Sequence, residues 1–270
     1  MTAESFRVAA VQMSSSGDVA ANLAQAGPLI DAAAAQGARL IVLPEYFGIL
    51  GASAADKVAV RERDGEGPQQ AFLAQAAKRH RAWVVGGSVP LACADPARVR
   101  SACLVYGPDG ERLARYDKIH LFAFAQRDES YDETRTIEPG SRPVAIDLPC
   151  GRVGLSICYD LRFPELYRTL GTLSLVLVPA AFTATTGAAH WHVLLRARAV
   201  ENQCYVLAAA QTGLHPGARR TYGHSLLVDA WGRIVAERPE GPGVVVGDVD
   251  PACLARVRAQ LPALAHRTLR

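Results

Sequence analysis

Apolar residues along the chain fall into short continuous runs, and these runs alternate with longer stretches in which apolar residues recur at helical spacing. Continuous apolar runs of about four to eight residues are typical of buried strands. The pattern predicts strands at Arg7 to Met13, Ala38 to Pro44, Ala82 to Val89, Leu173 to Pro179, Cys204 to Ala210 and Gly243 to Val249. It predicts helices at Asp18 to Gln36, Pro68 to Arg81, His190 to Asn202 and Pro251 to Gln260.

Three further stretches each combine two strand-like runs with a turn or a short break between them. They are Ser101 to Lys118, Pro143 to Cys158, and Gly223 to Glu237 with its turn at 230–232. Hairpins together with fully apolar strands predict an α/β fold in which mixed sheets are covered by helices on the outside. The length of 270 residues suits one large domain, which we expect to span residues 1–270.

Two chemically useful side chains follow strands that are apolar throughout and are therefore expected near the centre of a sheet. Glu45 follows residues 40–43, and Cys158 follows residues 153–157. In α/β folds, functional sites gather where the chain leaves the carboxyl ends of strands. Side chains that are distant in sequence can therefore meet in one pocket.

The cysteines and histidines do not follow a disulfide or metal pattern. The six cysteines are scattered without a CxxC pair, and the chain is long enough not to need disulfides. His190 and His192 are two positions apart, so on a helix they point in different directions. We therefore expect no metal site and no cofactor. A cysteine that closes an apolar strand is most often a buried packing residue, and we keep that interpretation for the five cysteines other than Cys158.

Cys158 has candidate partners for a role as a nucleophile. A thiol needs a base or a positive neighbour to react at neutral pH. Glu45 is poorly solvated after a buried strand, so it can exchange a proton with the thiol. Lys118 is flanked by apolar residues and can favour the thiolate or stabilise an oxyanion. Alone, Glu45 could cap a helix and Lys118 could be a solvated charge, but together they equip Cys158 to attack an amide or a nitrile.

Three stretches that contain these residues resemble the signature stretches of the nitrilase superfamily of carbon–nitrogen hydrolases. They are LPEYF at 43–47, YDKIHLF at 116–122 and GLSICYDLRFPEL at 154–166, in the order in which that family has them. The resemblance implies a four-layer αββα sandwich and a catalytic triad of Glu45, Lys118 and Cys158. It also implies that subunits pair into a homodimer or a larger homo-oligomer through the helices near the cysteine.

The resemblance also implies a second glutamate that positions the lysine and the substrate. Glu133 fits that role best because of the Thr-Ile-Glu-Pro-Gly context that follows it, and Glu129 is the competitor. The backbone N–H of Tyr159 is expected to bind the oxyanion. Asp160 and Arg162 are expected to form an ion pair, or else Arg162 faces a substrate carboxylate.

Further substrate contacts are expected from arginines and threonines around the site. Arg127 and Arg162 are candidate clamps for a carboxylate. Thr183 and Thr186 offer hydroxyls at a strand exit. In the pair Arg219 and Arg220, a substrate contact and a solvated loop are equally good interpretations.

The stretches RARA, NQCYVLAAAQ and YGHSLLVDAWG resemble the deaminated glutathione amidase branch of that family. This resemblance implies cleavage of the amide between a 2-oxoglutarate-like acyl group and cysteinylglycine. The alternatives are an omega-amidase that acts on 2-oxoglutaramate, another aliphatic amidase or nitrilase, and a catalytically silent binding protein on the same fold. The chain departs from the family at His192, where relatives usually have glutamate, so a contact borrowed from that glutamate is in doubt.

The charge and composition of the chain limit the classes of partner that it is expected to bind. The net charge is +3, and the charged residues, 20% of the chain, are interleaved without a basic block, which argues against nucleic-acid binding. No apolar run has the length of a signal peptide or a membrane span. We therefore expect a soluble cytoplasmic protein with a small-molecule amide substrate and no membrane partner.

Overall fold

The computed structural model describes residues 4–126 and 129–268. The strands are β1 (Phe6–Gln12), β2 (Leu40–Val42), β3 (Trp83–Ala92), β4 (Val99–Tyr106), β5 (Arg112–Asp117), β6 (Ala123–Gln126), β7 (Glu129–Asp132), β8 (Ala145–Leu148), β9 (Gly151–Leu155), β10 (Leu175–Ala180), β11 (Tyr205–Ala210), β12 (Thr212–Leu214), β13 (Arg220–Tyr222), β14 (Ser225–Val228), β15 (Ile234–Arg238) and β16 (Gly243–Val249). The helices are α1 (Val19–Ala35), α2 (Asp56–Ala59), α3 (Pro68–His80), α4 (Pro164–Thr169), α5 (Ala184–Asn202) and α6 (Pro251–Gln260). Short 3-10 helices span Glu133–Arg135, Cys158–Arg162 and Pro216–Ala218.

Twelve of these strands form two six-stranded sheets. The first sheet has the order β16-β1-β2-β3-β4-β5, and the second has the order β15-β14-β11-β10-β9-β8. Strands β1, β2 and β3 are parallel, as are β9, β10 and β11, and the remaining neighbours in these two sheets are antiparallel. The prediction of mixed sheets is therefore confirmed.

The alternation of side chains along β1 explains how the layers stack. Val8 and Ala10 point into the core between the two sheets, whereas Ala9 and Val11 point into a second core beneath α1 and α3. Helix α5 covers the opposite face of the second sheet, where Trp191 and other apolar side chains join the main core. The result is the four-layer αββα sandwich. None of the described helices is long and apolar enough to cross a membrane.

Some element boundaries differ from the prediction. Helix α5 begins at Ala184 rather than at His190, because the Thr183 hydroxyl accepts a hydrogen bond from the Thr186 N–H and caps the helix six residues earlier. The hairpin of β6 and β7 is exposed or half-buried, and although β6 continues a short apolar run, the sequence of β7, ESYD, is mostly polar. Hydrophobic patterning therefore does not reveal that hairpin.

The exit of β2 is packed directly against the backbone of β3 at Gly87. A β-carbon at Gly87 would lie 2.1 Å from the carbonyl oxygen of Pro44 and 2.4 Å from that of Leu43. These backbone atoms immediately precede Glu45, so they cannot yield without moving that residue.

We predict that Gly87→Ala lowers the free energy of unfolding by about 1–3 kcal/mol, the usual cost of overpacking. Chemical denaturation measures this loss. The matched control is Gly17→Ala, where the nearest atom to an added β-carbon is 3.7 Å away, and it should change stability by less than about 0.5 kcal/mol. Equal stability of the two variants would contradict the close approach at Gly87.

Candidate active site

Glu45 lies just beyond β2 and is completely buried. Its Oε1 accepts a hydrogen bond from Lys118 Nζ at 2.8 Å, and its Oε2 accepts one from the Ala181 N–H at 2.9 Å. Its backbone carbonyl accepts a hydrogen bond from the Gln211 side chain at 3.0 Å. The carboxylate is therefore held at both oxygens, and the backbone behind it is held as well.

Lys118 follows β5 and is also completely buried. Its ammonium group donates to Glu45 at 2.8 Å and to Glu133 at 2.7 Å. Burial alone would lower the pKa of Lys118, but the two neighbouring carboxylates raise that pKa well above its ordinary value. Lys118 is therefore a permanent cation at neutral pH.

Glu133 opens a 3-10 helix and completes this network. Besides Lys118, it accepts hydrogen bonds from the Tyr46 hydroxyl at 2.6 Å and from the Phe122 N–H at 2.8 Å. Burial would raise the pKa of Glu133, but Lys118 and these donors lower it. Of the two candidate second glutamates, Glu133 is the one that contacts Lys118. Glu129 instead accepts a hydrogen bond from the Thr185 hydroxyl at 2.8 Å.

Cys158 begins the 3-10 helix that follows β9, and its backbone has a φ of 50°. It lines a small pocket together with Ala181, whose N–H donates to Glu45. Burial and then the Glu45 charge raise the pKa of Cys158 well above its usual value, and Lys118 only partly opposes them. Lys118 therefore acts in the direction that favours the thiolate, but burial and the Glu45 charge outweigh its effect.

These four side chains can carry out acyl transfer. After burial, the Glu45 charge is the main cause that raises the pKa of the Cys158 thiol, so the carboxylate lies close enough to take the thiol proton during an attack. A lysine ammonium has three protons, and Glu45 and Glu133 take two of them. The third proton is available for a developing oxyanion.

A small pocket at Cys158 collects most of the predicted substrate contacts. It is lined by Cys158 together with Tyr159, Arg162, Thr183 and Thr186. The guanidinium of Arg162 lies 5.6 Å from the centre of the Tyr159 ring. The two threonine hydroxyls are 2.8 Å apart, so much of their hydrogen-bonding capacity is spent on each other and on capping α5.

The expected ion pair between Asp160 and Arg162 is wrong. Asp160 is completely buried and accepts hydrogen bonds from the Tyr116 hydroxyl and from His120 Nδ1, each at 2.7 Å. It also accepts one from the Ile157 N–H at 2.8 Å, which fixes the turn that presents Cys158. Sequence proximity misled here, because the turn directs the two side chains to different neighbours. Arg127 lies outside the described residues.

A larger cavity of about 320 Å³ lies beside the network, and Phe122 lines both this cavity and the small pocket. Its walls include Tyr46 and Glu133, and it also receives two cations, Lys57 and Arg219. Lys57 was missed because it lies on the short helix α2, which has no signature in the sequence. Arg219 faces the cavity, whereas Arg220 is exposed on β13.

The two cations are not neutralised by any carboxylate at ion-pair distance within the described chain. Lys57 Nζ contacts the Thr136 hydroxyl at 3.2 Å, and burial lowers the pKa of Lys57 to about 8. The Arg219 guanidinium lies 5.7 Å from the Tyr46 ring and 5.2 Å from the Tyr131 ring. Its Nε is buried without a hydrogen-bond partner among the residues described. Such a pair is suited to bind an anionic ligand.

Comparisons with known proteins agree with this geometry. The family model described as carbon–nitrogen hydrolase matches residues 7–259. The chain is 42% identical to a deaminated glutathione amidase of Synechocystis sp. strain PCC 6803, over 97% of this chain and 98% of that protein. It is 38% identical to an omega-amidase of Homo sapiens, over 97% of this chain and 95% of that protein. The crystal structure of the C. elegans NitFhit protein superposes with a TM-score of 0.90 at 36% identity, over 99% of this chain and 66% of that longer one.

We predict that Lys118→Met lowers the free energy of unfolding by about 3–5 kcal/mol at neutral pH, because two buried carboxylates lose their cation. In the parent, the pKa of Glu133 is lower in the folded chain than in the unfolded chain. Glu133 therefore stabilises the folded state above the unfolded pKa, and this stabilisation is lost as the pH falls through the folded pKa. Without the cation, burial instead favours the protonated acid. The free energy of unfolding of Lys118→Met should therefore approach that of the parent as the pH is lowered from 7 towards 4.

Denaturation at several pH values measures this difference. Lys78→Met is the control, since Lys78 is exposed on α3 and should cost less than about 0.5 kcal/mol at every pH. If the free energies of unfolding of Lys118→Met and the parent differ by the same amount at every pH, the proposed balance of Lys118 against Glu45 and Glu133 is contradicted.

Proposed function

The chain belongs to the carbon–nitrogen hydrolase family as an amidase, and we propose that it cleaves the amide of deaminated glutathione to 2-oxoglutarate and cysteinylglycine through a thioester on Cys158. The observation that carries the chemistry is the buried Lys118 ammonium, which donates to both Glu45 and Glu133 beside the Cys158 thiol. The identity of 42% to a deaminated glutathione amidase supports the choice of substrate.

In the first half-reaction, the Cys158 sulfur attacks the amide carbon while Glu45 takes the thiol proton. The negative charge moves to the carbonyl oxygen, which the remaining Lys118 proton and the Tyr159 N–H stabilise. A donor of this kind contributes about 3–4 kcal/mol to the transition state. Glu45 then gives its proton to the nitrogen of cysteinylglycine, the C–N bond breaks, and the acyl group stays on sulfur as a thioester.

In the second half-reaction, water attacks the thioester carbon and Glu45 takes a proton from that water. The same two donors hold the second oxyanion. The C–S bond then breaks, the proton returns from Glu45 to the sulfur, and 2-oxoglutarate leaves. Because the thiol is protonated at rest, Glu45 acts as base and acid in both halves.

The charges around the larger cavity support a substrate that carries carboxylates. Lys57 and Arg219 lie on the wall next to Glu133, so a substrate carboxylate can bind between them while the amide reaches Cys158 past Phe122. Each charge-assisted hydrogen bond of this type contributes about 1.5–3 kcal/mol. Arg162 is placed to contact the substrate on the other side of the small pocket.

We also propose that the protein forms a homodimer or a larger homo-oligomer and acts in the cytoplasm. The support for pairing is an apolar surface on α5 and the β14–β15 hairpin. Its exposed members are Val193, Val200, Trp231, Ile234 and Val235. A monomer seldom leaves so many large apolar residues together in water without a partner.

We predict that the parent enzyme has a higher kcat/KM for deaminated glutathione than for 2-oxoglutaramate. Release of cysteinylglycine and of ammonia, respectively, measures the two reactions. Cys158→Ala should abolish both activities, and Cys103→Ala, which removes a buried thiol elsewhere in the core, is the control that should retain them. A preference for 2-oxoglutaramate would make the chain an omega-amidase, and full activity of Cys158→Ala would contradict the nucleophile.

We predict that Lys57→Met and Arg219→Met each raise KM for deaminated glutathione by about tenfold or more, with kcat changed less. In the parent, KM should rise as the pH passes through about 8, because Lys57 then loses the proton that makes it a cation. Lys57→Met should lack that rise.

Steady-state kinetics between pH 6.5 and 9 test these expectations. Arg220→Met is the matched control, since Arg220 is next in sequence but exposed. If Lys57→Met and Arg219→Met keep the KM of the parent, the carboxylate of the substrate binds elsewhere.

A further inference from the structure

Two histidines and a glutamate meet on the outer side of the second sheet, among α5, β15 and the loop that precedes β14. Glu237 Oε1 lies 2.7 Å from His192 Nε2 and 2.6 Å from His224 Nδ1. The three potential ligand atoms all lie within 4.8 Å of one another. The side chains of His192, His224 and Glu237 are 31%, 22% and 24% exposed, so the group is shielded but can be reached from solvent.

The backbone of His224 is held in an uncommon conformation by two hydrogen bonds. Its φ is 55°, in the left-handed region that non-glycine residues seldom adopt. The buried Trp191 indole donates to the His224 carbonyl at 2.8 Å, and the His224 N–H donates to the Pro239 carbonyl at 3.0 Å. Such a conformation persists only where the surroundings fix it, and here it aims the imidazole at Glu237.

The ring of Tyr222 fixes the orientation of both imidazoles. It is stacked on His224 with ring centres 4.2 Å apart, and it meets His192 edge-on at 5.9 Å. Tyr222 itself packs against α5 at Gly187, where an added β-carbon would lie 2.4 Å from the Tyr222 Cβ. The histidines are therefore positioned by packing as well as by their shared carboxylate.

From this geometry we propose that His192, His224 and Glu237 form a binding site for one divalent transition metal ion of the zinc class. Imidazole nitrogen and carboxylate oxygen are the ligands that such ions take, and two histidines with one carboxylate are a sufficient protein set. The remaining coordination position is left for water.

The distances suit an ion of this size after a small adjustment. Bonds of about 2.0–2.1 Å in a tetrahedron separate the ligand atoms by about 3.3 Å. The two contacts of Glu237 are somewhat shorter than that separation. A slight rotation of the carboxylate and a small approach of the two imidazole nitrogens, which lie within 4.8 Å of each other, make room for the ion. Each neutral imidazole then binds through its unprotonated ring nitrogen and keeps its proton on the other nitrogen. Burial alone would raise the pKa of Glu237, but the two histidines lower it, so the carboxylate ligand is already ionised.

A metal ion at this position would join elements that are far apart in sequence. His192 lies on α5, which also carries Thr186 of the small pocket, whereas Glu237 belongs to an edge strand of the second sheet. An ion that binds only the folded chain stabilises it in proportion to the logarithm of its concentration. Metal binding would therefore stabilise the fold, and none of the three ligands takes part in the amide chemistry at Cys158.

The test is a titration of the full-length chain with ZnCl2 after treatment with a chelator and desalting, followed by calorimetry. All samples carry Cys158→Ala, so that the ion cannot bind the reactive thiol. We expect one Zn²⁺ per chain and a higher Tm with zinc. His192→Gln and Glu237→Gln should each weaken binding by at least about tenfold and lose the rise in Tm.

The matched control is His190→Gln, which removes a histidine two positions away on α5 that contacts Arg162 instead of the cluster. It should bind zinc like the parent. Visible absorption of bound Co²⁺ gives a second readout, which the cluster variants should lack. Glu237→Gln can still accept hydrogen bonds from the histidines, so it should remain folded, and circular dichroism checks this. The site is disproved if the parent binds no zinc, or if the cluster variants bind it as the parent does.

Discussion

The ammonium group of Lys118, buried between the Glu45 and Glu133 carboxylates, is the interaction on which the rest of the site depends. Two carboxylates cannot stay ionised so close together in the interior without a cation, and a buried lysine cannot stay charged without them. The three residues come from the exits of β2 and β5 and from the 3-10 helix after β7, so the ion pairs tie two loops of the first sheet to the β6–β7 hairpin. The Ala181 N–H at the exit of β10 then links Glu45 to the second sheet, which carries Cys158.

Two of the six described non-glycine residues with a positive φ lie in the active site. Among the described non-glycine residues, Tyr46 and Cys158 have φ values of 59° and 50°. Tyr46 uses this conformation to turn its hydroxyl back to Glu133 immediately after Glu45, and its N–H bonds the Ser88 hydroxyl at 2.8 Å. At Cys158 the same conformation starts a 3-10 helix shortly after β9, so the thiol lies near the end of that strand. Hydrogen bonds to Asp160 over-determine that turn, which is the condition under which strain can persist.

Sequence patterns predicted the parts of the molecule that depend on local chemistry. Continuous apolar runs identified the central strands. The side chains at their exits, Glu45 and Cys158, could be paired because functional sites gather at the carboxyl ends of strands, although β2 and β9 belong to different sheets. Patterns could not predict what depends on packing across the sandwich. Asp160 was assigned to Arg162 because the two are near in sequence, yet it binds Tyr116 and His120 from another strand exit. Lys57 lies on a short helix without any signature, and only the fold brings it to the cavity.

The same charges explain why an amidase with this centre needs cations beyond Lys118. With Cys158 protonated, two carboxylates and one ammonium leave the buried network with a net charge of minus one, which repels an anionic substrate. Lys57 and Arg219 add two positive charges at the cavity wall, so these five groups together carry a net charge of plus one. Glu133 takes part in both functions, because it holds Lys118 and also raises the pKa of Lys57 against the effect of burial. Substrate recognition and the ionisation of the catalytic network are therefore coupled through one carboxylate, and neither can be altered at Glu133 without altering the other.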